Sequence, residues 1–120
     1  ENIGIGLSLL GLSVPDVHSR TMAALERVGL AERAHRLPDT LSSGERQRIA
    51  IARALARRSS IILADEPTAH LDHALAKEIV SLLRAAADEH GSCVVMATHD
   101  NGVASLADER VVLVDGSRVE

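Results

Sequence analysis

Two short apolar runs separated by a long amphipathic stretch constrain the fold of this chain more than any other feature. The runs are Ile61–Ala64 and Cys93–Ala97, and residues Asp72–His90 between them repeat apolar side chains at helical spacing up to Gly91. Continuous apolar runs of this length are typical of strands that are buried on both faces. Strands joined by a long helical crossover pair in parallel. The sequence therefore predicts an α/β fold with a parallel sheet.

The other predicted elements are mostly helices. Further helices are predicted over Glu1–Leu12, from Ser13 to a stop at Gly29, and over Ser43–Arg58. Residues 31–40 predict a short helical turn and a loop broken by Pro38. A third buried strand is predicted over Arg110–Val114, followed by a hairpin turn at Asp115–Gly116.

The composition argues against several functional classes. The chain is 46% hydrophobic but has no aromatic residue, so it can form an aliphatic core but cannot stack on nucleic-acid bases. Its net charge of −4 offers no broad attraction to nucleic acid or anionic lipid. No basic segment followed by an apolar one suggests a secretion signal, and no apolar stretch of about 18 residues predicts a membrane span. The single cysteine, Cys93, lies in an apolar run and is expected to be buried.

A turn rich in small residues, Leu41-Ser42-Ser43-Gly44-Glu45, precedes the arginine-rich helix. The unpaired N–H groups of a helix start bind phosphate, and small residues let a phosphate approach closely. The same residues also suit an ordinary capping box, in which Ser42 caps the helix and Glu45 occupies the third position. These residues alone leave both interpretations open.

Two acidic residues, Asp65 and Glu66, end the first apolar run. Successive strand side chains point to opposite faces, so the two carboxylates can have different roles. Asp65 could reach Mg²⁺ through water, while Glu66 could orient and deprotonate an attacking water. Two solvated acids at a strand exit are an equally good explanation.

Asp72 and His99 are the remaining candidates. Asp72 stands at a helix start and could simply be its N-cap. His99 follows the second apolar run, at the sheet edge where open α/β sheets bind ligands, although a lone histidine there is more commonly structural. His70 and His73 are spaced as metal ligands could be, but no further ligands complete a site, so solvated histidines are favoured.

Taken in order, these elements resemble the nucleotide-binding domain of ABC transporters. LSSGE (41–45) resembles the ABC signature, IILADE (61–66) the Walker B motif, AHLD (69–72) the D-loop and ATHD (97–100) the H-loop. The resemblance covers essentially all of the chain. It is greatest to the lipoprotein-releasing, macrolide-exporting and cell-division branch.

The resemblance implies a partial P-loop NTPase fold of the RecA-like type with an N-terminal helical lobe. Residues 1–45 would form the helical subdomain that ends in the signature, and residues 46–120 the C-terminal part of the ATPase core. The implied function is ATP binding and hydrolysis in an ABC transporter. The implied partners are a second nucleotide-binding subunit and a membrane permease, with the protein peripheral on the cytoplasmic face of the cell membrane and no direct contact with nucleic acid.

The resemblance also assigns roles to individual residues. Glu66 would be the catalytic base, His99 would contact the γ-phosphate, and Asp65 would be associated with Mg²⁺. The cofactor-binding residues would be Ser42, Ser43, Gly44, Glu45 and Asp72. Of these, Ser42 and Gly44 would face ATP held by the opposite subunit, and Asp72 would link the two sites. Ser43 replaces the usual first glycine of the signature, so this loop is expected to approach phosphate less closely. Glu45 stands where glutamine is common in the family, although glutamate also occurs there.

The phosphate-binding loop itself, G-x-x-x-x-G-K-[ST], cannot be drawn in this sequence, because the only lysine is Lys77 in the middle of a helix. We therefore expect the isolated chain to hydrolyse no ATP, and ATP and Mg²⁺ to bind only together with an N-terminal part or a partner subunit. In this family, the strand that leads to the loop lies beside the predicted strand 93–97. Without such a strand, the chain is expected to recruit another segment, to dimerise or to fold poorly.

Two alternatives stay open. One is the C-terminal lobe of an SMC-like chromosome or DNA-repair ATPase, which would carry a coiled coil before the signature, but no heptads precede Leu41. The other is a vestigial, non-catalytic fragment that acts only as a binding surface.

Overall fold

The structure is a computed structural model that describes residues 2–119. Its α-helices are α1 (Asn2–Ser8), α2 (Val14–Arg27), α3 (Ser43–Arg57), α4 (His73–His90) and α5 (Asn101–Ala104). Short 3-10 helices occupy Ala31–Arg33 and Pro38–Thr40. The strands are β1 (Ile61–Asp65), β2 (Cys93–Ala97), β3 (Leu113–Val114) and β4 (Ser117–Arg118). Glu1, where the first helix was predicted to begin, lies outside the described residues.

The long helices begin at side-chain caps that the sequence places there. Ser13 accepts a hydrogen bond from the backbone N–H of Asp16 and caps α2, with Pro15 in the first turn. Ser42 caps α3 and Asp72 caps α4. Each cap satisfies a backbone donor that the helix itself leaves unpaired. The predicted starts of these helices are therefore confirmed to within a residue.

The helix ends differ slightly from the predictions. Helix α1 ends at Ser8 rather than Leu12, because the chain turns there and Gly11 has a φ of 73°. Helix α3 ends at Arg57, and Arg58 takes the left-handed conformation. Gly91 is the left-handed C-cap of α4, as the sequence predicted.

Strands β1 and β2 form the predicted parallel pair. Ile61 lies opposite Cys93 and Asp65 opposite Ala97, so the carboxyl ends of the two strands coincide. Helix α4 is the crossover between them. The prediction of an α/β fold with a parallel sheet is confirmed.

The apolar core lies between the helices and one face of this sheet. It is a single cluster that draws residues from α1, α2, α3 and α4, with Leu7 and Ile79 essentially inaccessible to solvent. Strand β1 contributes Ile62, which is 4% exposed.

Three predictions about burial are wrong. Alternate residues of β1 lie on a face that nothing in residues 2–119 covers, and Leu63 is 78% exposed. Cys93 lies on that same face of β2 and is exposed rather than buried. The third strand is not buried either, because only Leu113–Val114 of the predicted segment is extended, and it pairs with β4 in a separate exposed hairpin. The hairpin turn itself is confirmed at Asp115 and Gly116, which both have positive φ.

Candidate functional site

The candidate site lies where β1 and β2 end side by side. The chain leaves β1 at Glu66, whose N–H donates to the carbonyl of Ala97 at the end of β2 (2.9 Å). Glu66 has a φ of 45°, in the left-handed region that non-glycine residues seldom adopt. Its carbonyl accepts the N–H of Ala69 (3.1 Å), which closes a tight turn. This turn lets Glu66 depart from the strand direction at the sheet edge.

Glu66 and His99 are in direct contact across this edge. Oε1 of Glu66 accepts the backbone N–H of His99 (3.1 Å) and lies 2.7 Å from Nδ1 of the imidazole. The hydrogen bond and the negative charge of Glu66 raise the pKa of His99, with a smaller contribution from Asp100. The His99 side chain is 84% exposed, so the imidazole is accessible to a ligand. Both contacts use Oε1, which leaves Oε2 for another partner.

The turn before α3 forms the capping box that the sequence allowed. The Ser42 hydroxyl accepts the N–H of Glu45, and the Glu45 carboxylate accepts the N–H of Ser42, both at 3.1 Å. A Cβ on Gly44 would lie 3.5 Å from Leu71, so this turn packs against the segment that leads into α4. Ser42 and Ser43 are exposed. Within residues 2–119, no hydrogen bond joins either serine to Glu66 or His99.

The remaining predicted site residues are arranged as follows. Asp65 is exposed on the same face as Leu63. Asp72 accepts the N–H of Leu75 (2.9 Å), which is the capping role that the sequence allowed. Residues 2–119 contain no cluster of three or more histidine, cysteine or acidic residues that could hold a metal ion. Mg²⁺ commonly uses one or two carboxylates with water and substrate phosphates, so the single Asp65 carboxylate fits only a site that a nucleotide completes.

One contact of the site was missed from the sequence. Gln47 of α3 donates from Nε2 to the carbonyl of Glu66 (3.1 Å) and to that of Pro67. The available signal was its position, four residues before Ile51 and eight before Leu55 on the buried face of α3. A polar side chain on such a face needs a hydrogen-bond partner.

The family model for ABC transporters matches residues 3–69 of this chain. The chain belongs to the ABC transporter family. The matched residues contain the signature-like turn and the Glu66 turn, so the predicted resemblance is confirmed. Within residues 2–119, none of the helices combines the length and the apolar character needed to cross a membrane.

Relatives and a solved structure agree with this assignment. The chain is 41% identical over its whole length to the lipoprotein-releasing system ATP-binding protein LolD of Treponema denticola, covering 53% of that protein. It is 42% identical over 96% of its length to the macrolide export ATP-binding/permease protein MacB 2 of Aeromonas hydrophila, covering 18% of it. The cell division ATP-binding protein FtsE of Mycobacterium tuberculosis also matches, at 41% identity over 93% of this chain and 48% of that protein, which confirms the predicted branch of the ABC family.

One of the solved structures that match is the ATP-binding cassette MJ0796, a dimer in a post-hydrolysis state bound to ADP and Pi. It superposes with a TM-score of 0.82 at 40% identity, over 91% of this chain and 47% of the cassette. The predicted fold class, a partial P-loop NTPase, is therefore confirmed. The chain spans about half the length of the lipoprotein-releasing relative and of this cassette.

Proposed function

We propose that the chain is the C-terminal part of the ATP-binding subunit of an ABC transporter, and that Glu66 and His99 act on ATP. The observation that supports this proposal best is the 2.7 Å contact between Glu66 and His99 at the carboxyl ends of two parallel strands. Open α/β sheets bind their ligands at that edge. The functions for which the relatives are named, lipoprotein release and macrolide export, make transport the corresponding role of the whole protein.

In the proposed mechanism, His99 holds Oε1 of Glu66, and Oε2 accepts a proton from the attacking water. The water oxygen bonds to the γ-phosphorus while the bond from that phosphorus to the bridging oxygen breaks, and ADP leaves with that oxygen. The exposed His99 ring, whose Nδ1 stays on Glu66, would donate from Nε2 to the charge that develops on the γ-phosphate. Asp65 would hold Mg²⁺, which neutralises phosphate charge when it is bound.

The other proposed contacts lie between two subunits. Ser42, Ser43, Gly44 and Glu45 would face the nucleotide of the opposite subunit, because the N-terminal N–H groups of α3 favour an anion. Asp72 would link the two sites. The dimeric, ADP-bound cassette supports both the ligand and the paired arrangement. We further propose residues 1–45 as the helical subdomain and 46–120 as part of the ATPase core, with a permease as partner at the inner face of the membrane.

The test is phosphate release from ATP by a chimeric cassette, in which these 120 residues replace the matching part of the Treponema relative. The relative then supplies the phosphate-binding loop. We expect turnover that Glu66→Gln lowers at least about a hundredfold, because the amide cannot accept the proton. Glu78→Gln, an exposed carboxylate change on α4, is the matched control and should leave turnover unchanged. Undiminished hydrolysis by Glu66→Gln would refute the proposed role.

The 120-residue chain alone is the second arm of the test. We expect it to release no phosphate above background, because its only lysine, Lys77, lies on the exposed side of α4 and not in a phosphate-binding loop. Turnover by the chain alone that Glu66→Gln abolishes would show that it needs no additional loop.

A further inference from the structure

Gln47 makes the side-chain contact that joins helix α3 to the turn carrying Glu66. Its amide Nε2 donates to two successive carbonyls, those of Glu66 and Pro67. Gln47 is half-buried, and Pro67 is buried. The contact spans 19 residues of sequence, so it is a tertiary link and not part of the helix.

The Glu66 backbone is held from two other directions as well. Its N–H donates to Ala97 of β2, and its carbonyl also accepts the N–H of Ala69. These bonds surround a residue with a φ of 45°, a conformation that persists only where neighbouring contacts enforce it. The φ of Glu66 sets the direction in which its side chain leaves the backbone. The orientation of the carboxylate toward His99 therefore depends on the contacts of this turn.

Helix α3 is the element that begins at the Ser42–Glu45 turn. Gln47 lies within the first two turns of α3, so it moves together with the start of the helix. A displacement of the α3 start is passed through the Gln47 amide to the Glu66 and Pro67 carbonyls. The covalent path between the same two places runs through all of α3 and β1.

We propose that Gln47 is a positioning residue: its bonds to the Glu66 and Pro67 carbonyls keep the Glu66 carboxylate on His99 and couple it to the start of α3. The inference rests on the proposed ATPase function for its effect on turnover, but its effect on the Glu66–His99 contact is independent of that function.

The test compares three substitutions that keep the length of the side chain roughly constant. Gln47→Met removes the donor, Gln47→Glu sets a carboxylate against two carbonyl oxygens, and Gln47→Lys keeps a donor. The control, Arg53→Met, removes another side-chain hydrogen bond of α3, which ends on Asn2 and not on the Glu66 turn. Thermal melting of each variant reports the folded fraction.

In the chimeric cassette, we expect Gln47→Met and Gln47→Glu to lower kcat about ten- to a hundredfold, the effect of a misplaced catalytic group. KM for ATP should stay within about twofold, because Gln47 acts through Glu66 and makes no contact with the nucleotide. Gln47→Lys should recover most of the lost kcat, and Arg53→Met should match the wild type. If Gln47 had a merely structural role, the activity of each variant would fall only in proportion to its folded fraction. Gln47→Lys would then show no recovery of kcat relative to Gln47→Met and Gln47→Glu beyond that fraction.

The second readout is the ¹⁵N and ¹H chemical shift of the His99 backbone amide, which donates to Glu66. We expect this signal to move in Gln47→Met and to return toward its wild-type position in Gln47→Lys. An unmoved signal, or a kcat within about twofold of wild type in folded Gln47→Met, overturns the proposal. If the wild-type cassette shows no Glu66-dependent turnover, the proposed function fails, and the amide signal still decides whether Gln47 positions Glu66.

Discussion

The helical layer and the parallel sheet of this chain differ sharply in how far they are covered. Helices α1 to α4 pack around a continuous core in which Leu7 and Ile79 are 0% and 1% exposed. In strand β1, two adjacent residues differ in the same way: Ile62 is 4% exposed and Leu63 is 78% exposed. Successive residues of a strand point to opposite faces, so one face belongs to the core while the other does not.

This difference separates local from non-local determinants of the fold. The helices carry their own caps and apolar stripes, so the residues that define them also supply their packing surfaces. The exposed sheet face is apolar on β1 and on β2, a pattern typical of a sheet that is covered on both sides. The described residues supply a cover for one side only. We therefore expect substitutions on the two faces to have very different effects.

The largest predicted effect comes from truncating adjacent residues of β1. Ile62→Ala should cost about 2–5 kcal/mol of unfolding free energy, because it opens a cavity against the helices. Leu63→Ala should cost about 0.5 kcal/mol or less, since most of its side chain already contacts solvent. Urea unfolding of the 120-residue chain, monitored by circular dichroism, measures both changes.

Protein concentration is the control for this pair. If the exposed face is covered by a second copy in solution, the cost of Leu63→Ala will grow with concentration, and gel filtration will show the association. Equal costs for the two substitutions in a monomeric chain would contradict the described difference between the sheet faces.

A smaller effect is predicted at the cap of α4. Asp72→Ala should cost about 1 kcal/mol, because the N–H of Leu75 loses its acceptor. Asp72→Asn keeps an acceptor oxygen at the same place and should cost much less. The same unfolding measurement serves for both. A cost for Asp72→Asn as large as that of Asp72→Ala would mean that the charge of Asp72, and not its hydrogen bond, stabilises the helix start.

The sequence predicted the helices well and the exposure of the strands poorly, for the same physical reason. Ser13, Ser42 and Asp72 define helix starts through bonds that close within three residues, so their pattern suffices. The apolar character of Leu63 and Cys93 expresses a preference for burial. It does not determine which neighbours are present to bury them.

In the candidate site too, some features could be predicted from the sequence and others could not. The proximity of Glu66 and His99 follows from parallel pairing, which the sequence predicted, because both residues come just after strand ends that coincide. The positive φ of Glu66 and its bond from Gln47 depend on how α3 packs against the turn, which no spacing in the sequence specifies. Helix α5 was also missed, since its four residues are too few to show a helical period.

The smallest predicted effect is a pH dependence at the open end of the sheet. The carboxylate of Glu66 raises the pKa of His99 above its ordinary value of 6.5. The pair therefore stabilises the fold fully below the unfolded pKa, and the contribution is lost as the pH rises through the higher folded value. The exposed imidazole keeps this contribution small.

An NMR titration of the histidine ring protons measures the pKa directly. Glu66→Gln should lower the His99 pKa toward its ordinary value, because the neutral amide removes both the charge and the charge-assisted hydrogen bond. The matched control is Asp65→Asn, since Asp65 is not among the groups that shift the pKa of His99, and it should leave that pKa unchanged.

Melting temperatures of wild type and Glu66→Gln should differ more at pH values below the His99 transition than above it. A difference of the same size on both sides of the His99 transition would contradict this prediction, because the stabilisation by the Glu66 carboxylate would then not depend on the charge of His99.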